Sequence, residues 1–330
     1  MLLLVHEEYR ILDVMKFVMA IVVVAVHTRP ELSLSSLFVR HIFEAVYSIA
    51  VQFFFMASGF LLFRKISLPL TDDGELRIKS YLKRMCKLYV LWTIVYLPLT
   101  VYGFYLDRIS PMKAVAVFFR NFLLVGENYM SWPLWYLLAL IVAVSIIYIL
   151  LKLKVSKGWI VVISVMMALL GVGLDYFKEN SIMEPLTNLY FTTFLKTRNG
   201  FFVGFLYVAL GMLCSQLDRI PLVGNAILLL LGIIGILMQL PLSNALLIFP
   251  IFIVTISFAG NRIKQDTAIR FRMMSSIIYF THMIFMAVLV IGMNFNSGSQ
   301  LFSIVIVITL LWSYLLLNFR FSRIFKLFFN

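Results

Sequence analysis

The first apolar stretch of the chain carries three ionisable groups at helical spacing: Asp13, Lys16 and His27. Charged side chains inside a membrane helix are costly and mark functional sites by default. Lys16 and His27 stand eleven residues apart, which at 3.6 residues per turn returns to nearly the same face. At a rise of about 1.5 Å per residue they lie roughly 16 Å apart along the axis. One face of one helix thus offers a point charge at one depth and a titratable imidazole at another. That pattern suits a lined polar path, with histidine as general base or with Asp13, Lys16 and His27 as a proton relay. The alternative is that Arg10 and Asp13 lie at an interface, Lys16 snorkels to headgroups and His27 caps the far end.

The elements that position these groups follow from composition. Of 330 residues, 62% are hydrophobic and 13% charged, against about a quarter charged in soluble domains. The fold expected is therefore all-α and membrane-embedded. Ten segments are apolar enough to predict spans of about 17–25 residues: 11–27, 42–63, 86–106, 133–151, 159–175, 200–214, 222–240, 244–260, 275–293 and 300–319. Residues 112–125 are too short and too charged, and read as an interfacial amphipathic helix. The longest polar stretches, 71–83, 107–132 and 175–198, read as loops, and a single domain over 1–330 is expected, with no separate soluble domain.

Charge placement orients the bundle. With the N-terminus inside, the outer segments hold only Arg29, Arg40, Arg108, Lys113, Arg120, Lys178, Lys196 and Arg198 of the 28 Lys and Arg. Lys16 lies within the membrane, and the larger share, from Arg10 through Arg320, Arg323 and Lys326, falls inside. The positive-inside rule therefore predicts both termini cytoplasmic. It also accounts for the net charge of +13 without nucleic acid. The first segment is not read as a cleavable signal, because Asp13 and Lys16 interrupt it and no small-residue cleavage site follows. Cys86 and Cys214 fall at predicted cytoplasmic ends, where thiols stay reduced. No metal site is expected.

Further candidates come with bland alternatives. Ala57, Ser58 and Gly59 fit close helix packing, and nothing nearby in sequence would activate Ser58. The basic run Lys83, Arg84, Lys87 either holds its loop inside or binds phosphate on the cytoplasmic side. His282 suits a core hydrogen bond or a site equally. His6 in the tail and His41 in an outer loop read as solvated.

Asp13-x-x-Lys16-x10-His27 resembles the opening helix of the membrane-bound acyltransferase 3 family, integral membrane O-acyltransferases of bacterial surface polymers. Matching stretches follow in order: FFMASGFL at 54–61, RMCKLY at 84–89, WPLWYL at 132–137, RNGFF at 198–202, and Thr281-His282. The resemblance covers the whole chain and agrees with ten spans. It implies a multi-pass protein of the bacterial inner membrane that moves an acetyl or other short acyl group from cytoplasmic acyl-CoA to a hydroxyl. The acceptor would be a surface glycan or its lipid-linked precursor. His27 would be the base, with Asp13 as its catalytic companion. Lys16, Arg84 and Lys87 would bind the donor; Arg198, Trp135 and His282 would support the acceptor side. Lys16 stands where many members have arginine, so a bidentate fork is lost there while a point charge survives. Acetyl-CoA is a co-substrate and no bound cofactor is implied. The donor's extended arm would bring its thioester past Lys16 toward His27. Some members carry a fused esterase-like domain; without one, the chain is expected to act alone or to hand its acyl group to another protein. A transporter of a small zwitterion or lipid-linked sugar is the competing reading. A non-catalytic membrane partner would leave the intramembrane charges unexplained.

Overall fold

A computed structural model describes residues 2–3, 9–217, 219–258, 262–318 and 328–329. The candidates His6, Arg320, Arg323 and Lys326 lie outside the described residues. Helices dominate, as backbone groups without water require. The elements are α1 (Arg10–Thr28), α2 (Leu37–Phe63), α3 (Asp72–Leu106), α4 (Pro111–Arg120), α5 (Leu134–Lys152), α6 (Lys157–Tyr176), α7 (Glu184–Phe194), α8 (Phe205–Ser215), α9 (Leu222–Leu237), α10 (Ser243–Ser257), α11 (Gln265–Ala287) and α12 (Ser299–Asn318). Short π-helical turns cover Asn121–Val125, Gly200–Gly204 and Val288–Gly292. A two-residue strand, Leu2–Leu3, pairs antiparallel with Arg219–Ile220.

Among the described residues each of the ten predicted apolar segments overlaps a helix. Seven of these, among the described residues, are long and apolar enough to cross a membrane. Three are apolar but shorter: Gly200–Ser215, Leu222–Leu237 and Ser243–Ser257. Their outward faces are hydrocarbon, as at Val223 and Leu237 on α9, the surface a lipid solvent favours.

Four boundaries depart from expectation for identifiable reasons. The stretch 71–83 is helix rather than loop, since α3 starts at Thr71, whose hydroxyl accepts from Gly74 N, with Asp72, Asp73 and Glu75 in the first turn. A side-chain cap and acidic residues at the positive end of the helix dipole both favour that start. Arg77–Asp73 at 2.7 Å and Lys79–Glu75 at 2.6 Å add i,i+4 pairs. Second, α2 begins at Leu37, so His41 is an exposed residue of its first turns rather than of a loop. Third, α11 begins at Gln265, which puts Arg270 and Arg272 on the helix. Fourth, the polar stretch 175–198 contains α7, opened by Pro185 in its first turn.

Contacts cluster into two compact units, residues 1–54 with 217–330 and residues 55–216. In the first, α1 and α11 lie side by side, burying Leu12, Val23 and Val24 with Ile277, Ile278 and Met283. Phe53 meets Phe252 edge-on at 5.4 Å. In the second, α5 packs on α3, on α8 and on the 200–204 turn, around Phe55, Tyr96, Leu140 and Phe205. There α2 and α8 touch backbone to backbone: a Cβ at Gly59 would collide with the Val208 carbonyl, and one at Gly211 with that of Met56. Small residues permit this approach. Buried hydroxyls donate to their own helices, as Thr93 to Tyr89 O at 2.7 Å and Thr281 to Ile277 O at 2.7 Å, so they need no partner from lipid.

Candidate active site

The first unit gathers Asp13, Lys16, His27 and His282 along the seam between α1 and α11. Asp13 pairs with Arg272, and His27 lies beside His282. Sequence number rises together on both helices, so they run parallel. The shared face expected of Lys16 and His27 is this seam.

At one end, Asp13 serves two cations. Its Oδ1 lies 3.5 Å from Lys16 Nζ and its Oδ2 lies 3.8 Å from Arg272 Nη1. The Asp13 and Lys16 side chains are 15% and 12% exposed, so each depends on the other for compensation. Phe17 and Phe271 close the seam above them at 4.8 Å between centroids, and Arg10 Nη1 donates to Ile263 O at 2.8 Å. Asp13 stands fourteen residues from His27, about 21 Å along the axis. It acts on the cations and does not touch the imidazole.

At the other end, the His27 and His282 rings stand 5.4 Å apart, tilted by 30°. His282 is fully buried. Its Nδ1 lies 2.9 Å from Ile278 O; a carbonyl only accepts, so Nδ1 carries the proton and Nε2 of the neutral ring holds a lone pair. Among the described residues that buried Nε2 has no hydrogen-bond partner. Buried orphans are rare, and a catalytic role is one of the explanations for them; Gln52 Oε1 and Asn225 Oδ1 are the others among the described residues. Tyr279 lies 6.4 Å from His282 and 5.6 Å from Phe54, walling the site with rings.

Past His27 the chain is pinned. Arg29 takes the left-handed conformation and its N–H caps Ala25 O. Glu31 is 1% exposed, yet Arg29 Nε and the Tyr47 hydroxyl each donate to it at 2.6 Å. Burial alone would raise the carboxyl's pKa; the bonds from Tyr47 and Arg29 outweigh it and hold Glu31 below the usual range. Gly298 N donates to Thr28 O at 2.8 Å and Ser299 N to Ser33 Oγ at 2.9 Å. These bonds tie the end of α1 to the start of α12.

The second unit holds the remaining candidates. Arg84 and Lys87 are exposed on α3, with the Arg84 guanidinium 5.4 Å from the Tyr81 ring. Arg198 lies 4.7 Å over the buried Trp135 ring. Ser58 hydrogen-bonds Tyr136 at 2.8 Å, a partner invisible from its neighbours in sequence. The other unforeseen participant is Arg272. It precedes the predicted apolar segment 275–293 and reads in sequence as one of the basic residues of the preceding loop.

Parallel apolar helices with an ion triad and a histidine pair on one seam define a multi-pass membrane protein with a buried polar site. Residues 9–318 match the family model described as "Acyltransferase domain", and the chain belongs to that acyltransferase 3 family. One match therefore runs through both units. The chain is also similar to an amino-acid racemase of Enterococcus faecalis, 27% identical over 212 residues, which is 63% of this chain and 29% of that protein. It is similar to a serine/alanine racemase of Enterococcus gallinarum, 28% identical over 232 residues, 69% of this chain and 32% of that protein. The chain spans less than a third of the length of these relatives. No solved structure matches it.

Proposed function

We propose that the protein is an O-acyltransferase that moves an acetyl or other short acyl group from acyl-CoA to a hydroxyl of a surface glycan or its lipid-linked precursor. The observation that carries this reading is the His27–His282 pair. Oxygen attack on a thioester carbonyl needs a base near neutrality, and positioned histidine contributes about 10²–10⁴-fold. His27 takes the hydroxyl proton as the C–O bond forms, and the tetrahedral intermediate then expels CoA thiolate, which takes that proton back. The lone pair on His282 Nε2 supports the His27 imidazolium while it lasts. Lys16 and Arg272, held by Asp13, supply positive charge on the same seam for the donor. Arg84 and Lys87 are exposed cations suited to the donor's phosphates. The protein sits in the bacterial inner membrane with both termini cytoplasmic, in keeping with the charge bias.

The test is purified protein in liposomes with radiolabelled acetyl-CoA and a hydroxyl acceptor, wild type against His27→Ala. Loss of transfer with donor binding retained supports the reading. Undiminished transfer in His27→Ala overturns it.

The names of the similar racemases favour one second reading, transport of a small zwitterion, because those proteins are named for acting on amino acids. Uptake of radiolabelled serine into liposomes without acyl-CoA would establish it; label passing from acyl-CoA to a hydroxyl, with no uptake, would exclude it.

A further inference from the structure

Within the second unit, two π-helical turns, Asn121–Val125 and Gly200–Gly204, line one open cavity of about 60 Å³. The first continues the end of α4 and the second opens α8, so both are helix-terminal turns rather than bulges within a helix. The walls are hydrocarbon: Leu124, Trp135, Leu138, Val142, Phe194 and Phe201. The one amide side chain there, Asn199, is already engaged. Its Oδ1 accepts from Phe201 N and Phe202 N, and its Nδ2 donates to Tyr190 Oη at 2.6 Å. Asn199 therefore asks for no ligand, and an open cavity of this size admits only a short length of one narrow chain, the remainder lying outside it.

A charge stands beside it. Arg198, exposed, lies over the ring of Trp135, which itself lines the cavity. Stacking on an aromatic face orients a guanidinium and leaves its N–H fork outward. The nearby carboxylates are committed elsewhere: Glu127 pairs with Lys196, and Asp175 accepts from the Thr197 hydroxyl. Among the described residues no carboxylate lies within salt-bridge distance of Arg198. A guanidinium fork matches the oxygens of a phosphate.

We propose that this cavity and Arg198 bind a long-chain isoprenoid phosphate, with the first chain units between the two π-turns and the phosphate on the guanidinium. The inference rests on the acyltransferase reading for its purpose, since such a lipid would carry the acceptor hydroxyl. It narrows the acceptor from glycans in general to those on a phosphate-headed lipid. A two-chain phospholipid can place one tail in the same cavity, so it is the competitor in the titration.

The test is native mass spectrometry of the purified full chain titrated with a polyprenyl phosphate, the matching polyprenol, phosphatidylglycerol and inorganic phosphate. The expected result is one polyprenyl phosphate per chain, bound at least about tenfold more tightly than the others, or about 1.4 kcal/mol. Arg198→Gln should erase the preference over polyprenol while Arg198→Lys keeps part of it. Leu124→Trp, which fills the cavity, should weaken both prenyl ligands. Equal binding of phosphatidylglycerol, or a preference untouched by Arg198→Gln, overturns the proposal. Lipid binding without any acyl transfer keeps the site and sinks the acyltransferase reading. Transfer to a water-soluble hydroxyl without phosphate-dependent lipid binding does the reverse.

Discussion

The two ends of the α1–α11 seam are built on opposite principles. At the Lys16 end every charge has a counterpart, because one carboxylate is shared by an ammonium and a guanidinium. At the His27 end a buried nitrogen, Nε2 of His282, has none among the described residues. A satisfied cluster holds still and contributes a fixed field. An orphaned acceptor is a standing cost, of about 1–3 kcal/mol for a buried group, that makes sense where a proton has to arrive. The contrast separates positioning from chemistry within one pair of helices.

The sharpest way to break it is His27→Ala. Transfer should fall by about 10²–10⁴-fold with acyl-CoA affinity unchanged, read by single-turnover kinetics beside equilibrium binding. Next is His282→Leu, which removes the orphaned nitrogen. A hydrogen bond to a charged partner is worth about 1.5–3 kcal/mol, so kcat should drop about 10–150-fold. The melting temperature should hold or rise, since no buried acceptor is left unmet. A fall in both would assign His282 to structure and erase the contrast.

Asp13→Asn probes the other end, where Lys16 and Arg272 would lose their shared carboxylate. Destabilisation by about 1–3 kcal/mol is expected from denaturation, together with a raised KM for acyl-CoA, while Lys16→Arg keeps both near wild type. The smallest effect concerns Glu31, beyond the histidine end. Its folded pKa lies below its unfolded one, so its stabilisation is present above the ordinary carboxyl range and is lost as pH falls through the folded value. Melting temperature should therefore decline on acidification within and below that range, and Glu31→Gln should flatten the decline.

Much of this arrangement is legible in the chain before folding. Eleven-residue spacing is a property of the helix itself, so Lys16 and His27 announced a common face without knowledge of the partner. What they faced did not follow, because α11 lies some 250 residues later and its arginine reads as part of a basic loop. The first turns of α3 were missed for a different reason. Hydropathy sees spans, whereas Thr71 and the pairs Asp73–Arg77 and Glu75–Lys79 make helix from polar residues. The π-turns left no local trace: Asn121 reads as the polar face of the 112–125 helix and Asn199 as a loop residue until their backbones are seen.

The backbone contact of α2 with α8 has a consequence in time. Gly59 and Met56 emerge from the ribosome about 150 residues before Val208 and Gly211. At about 5–20 residues per second that face of α2 waits roughly 8–30 s for its partner. During that interval its bare glycine groove must be covered by lipid tails or by another protein, so early α2 is where an insertion factor would have most to guard.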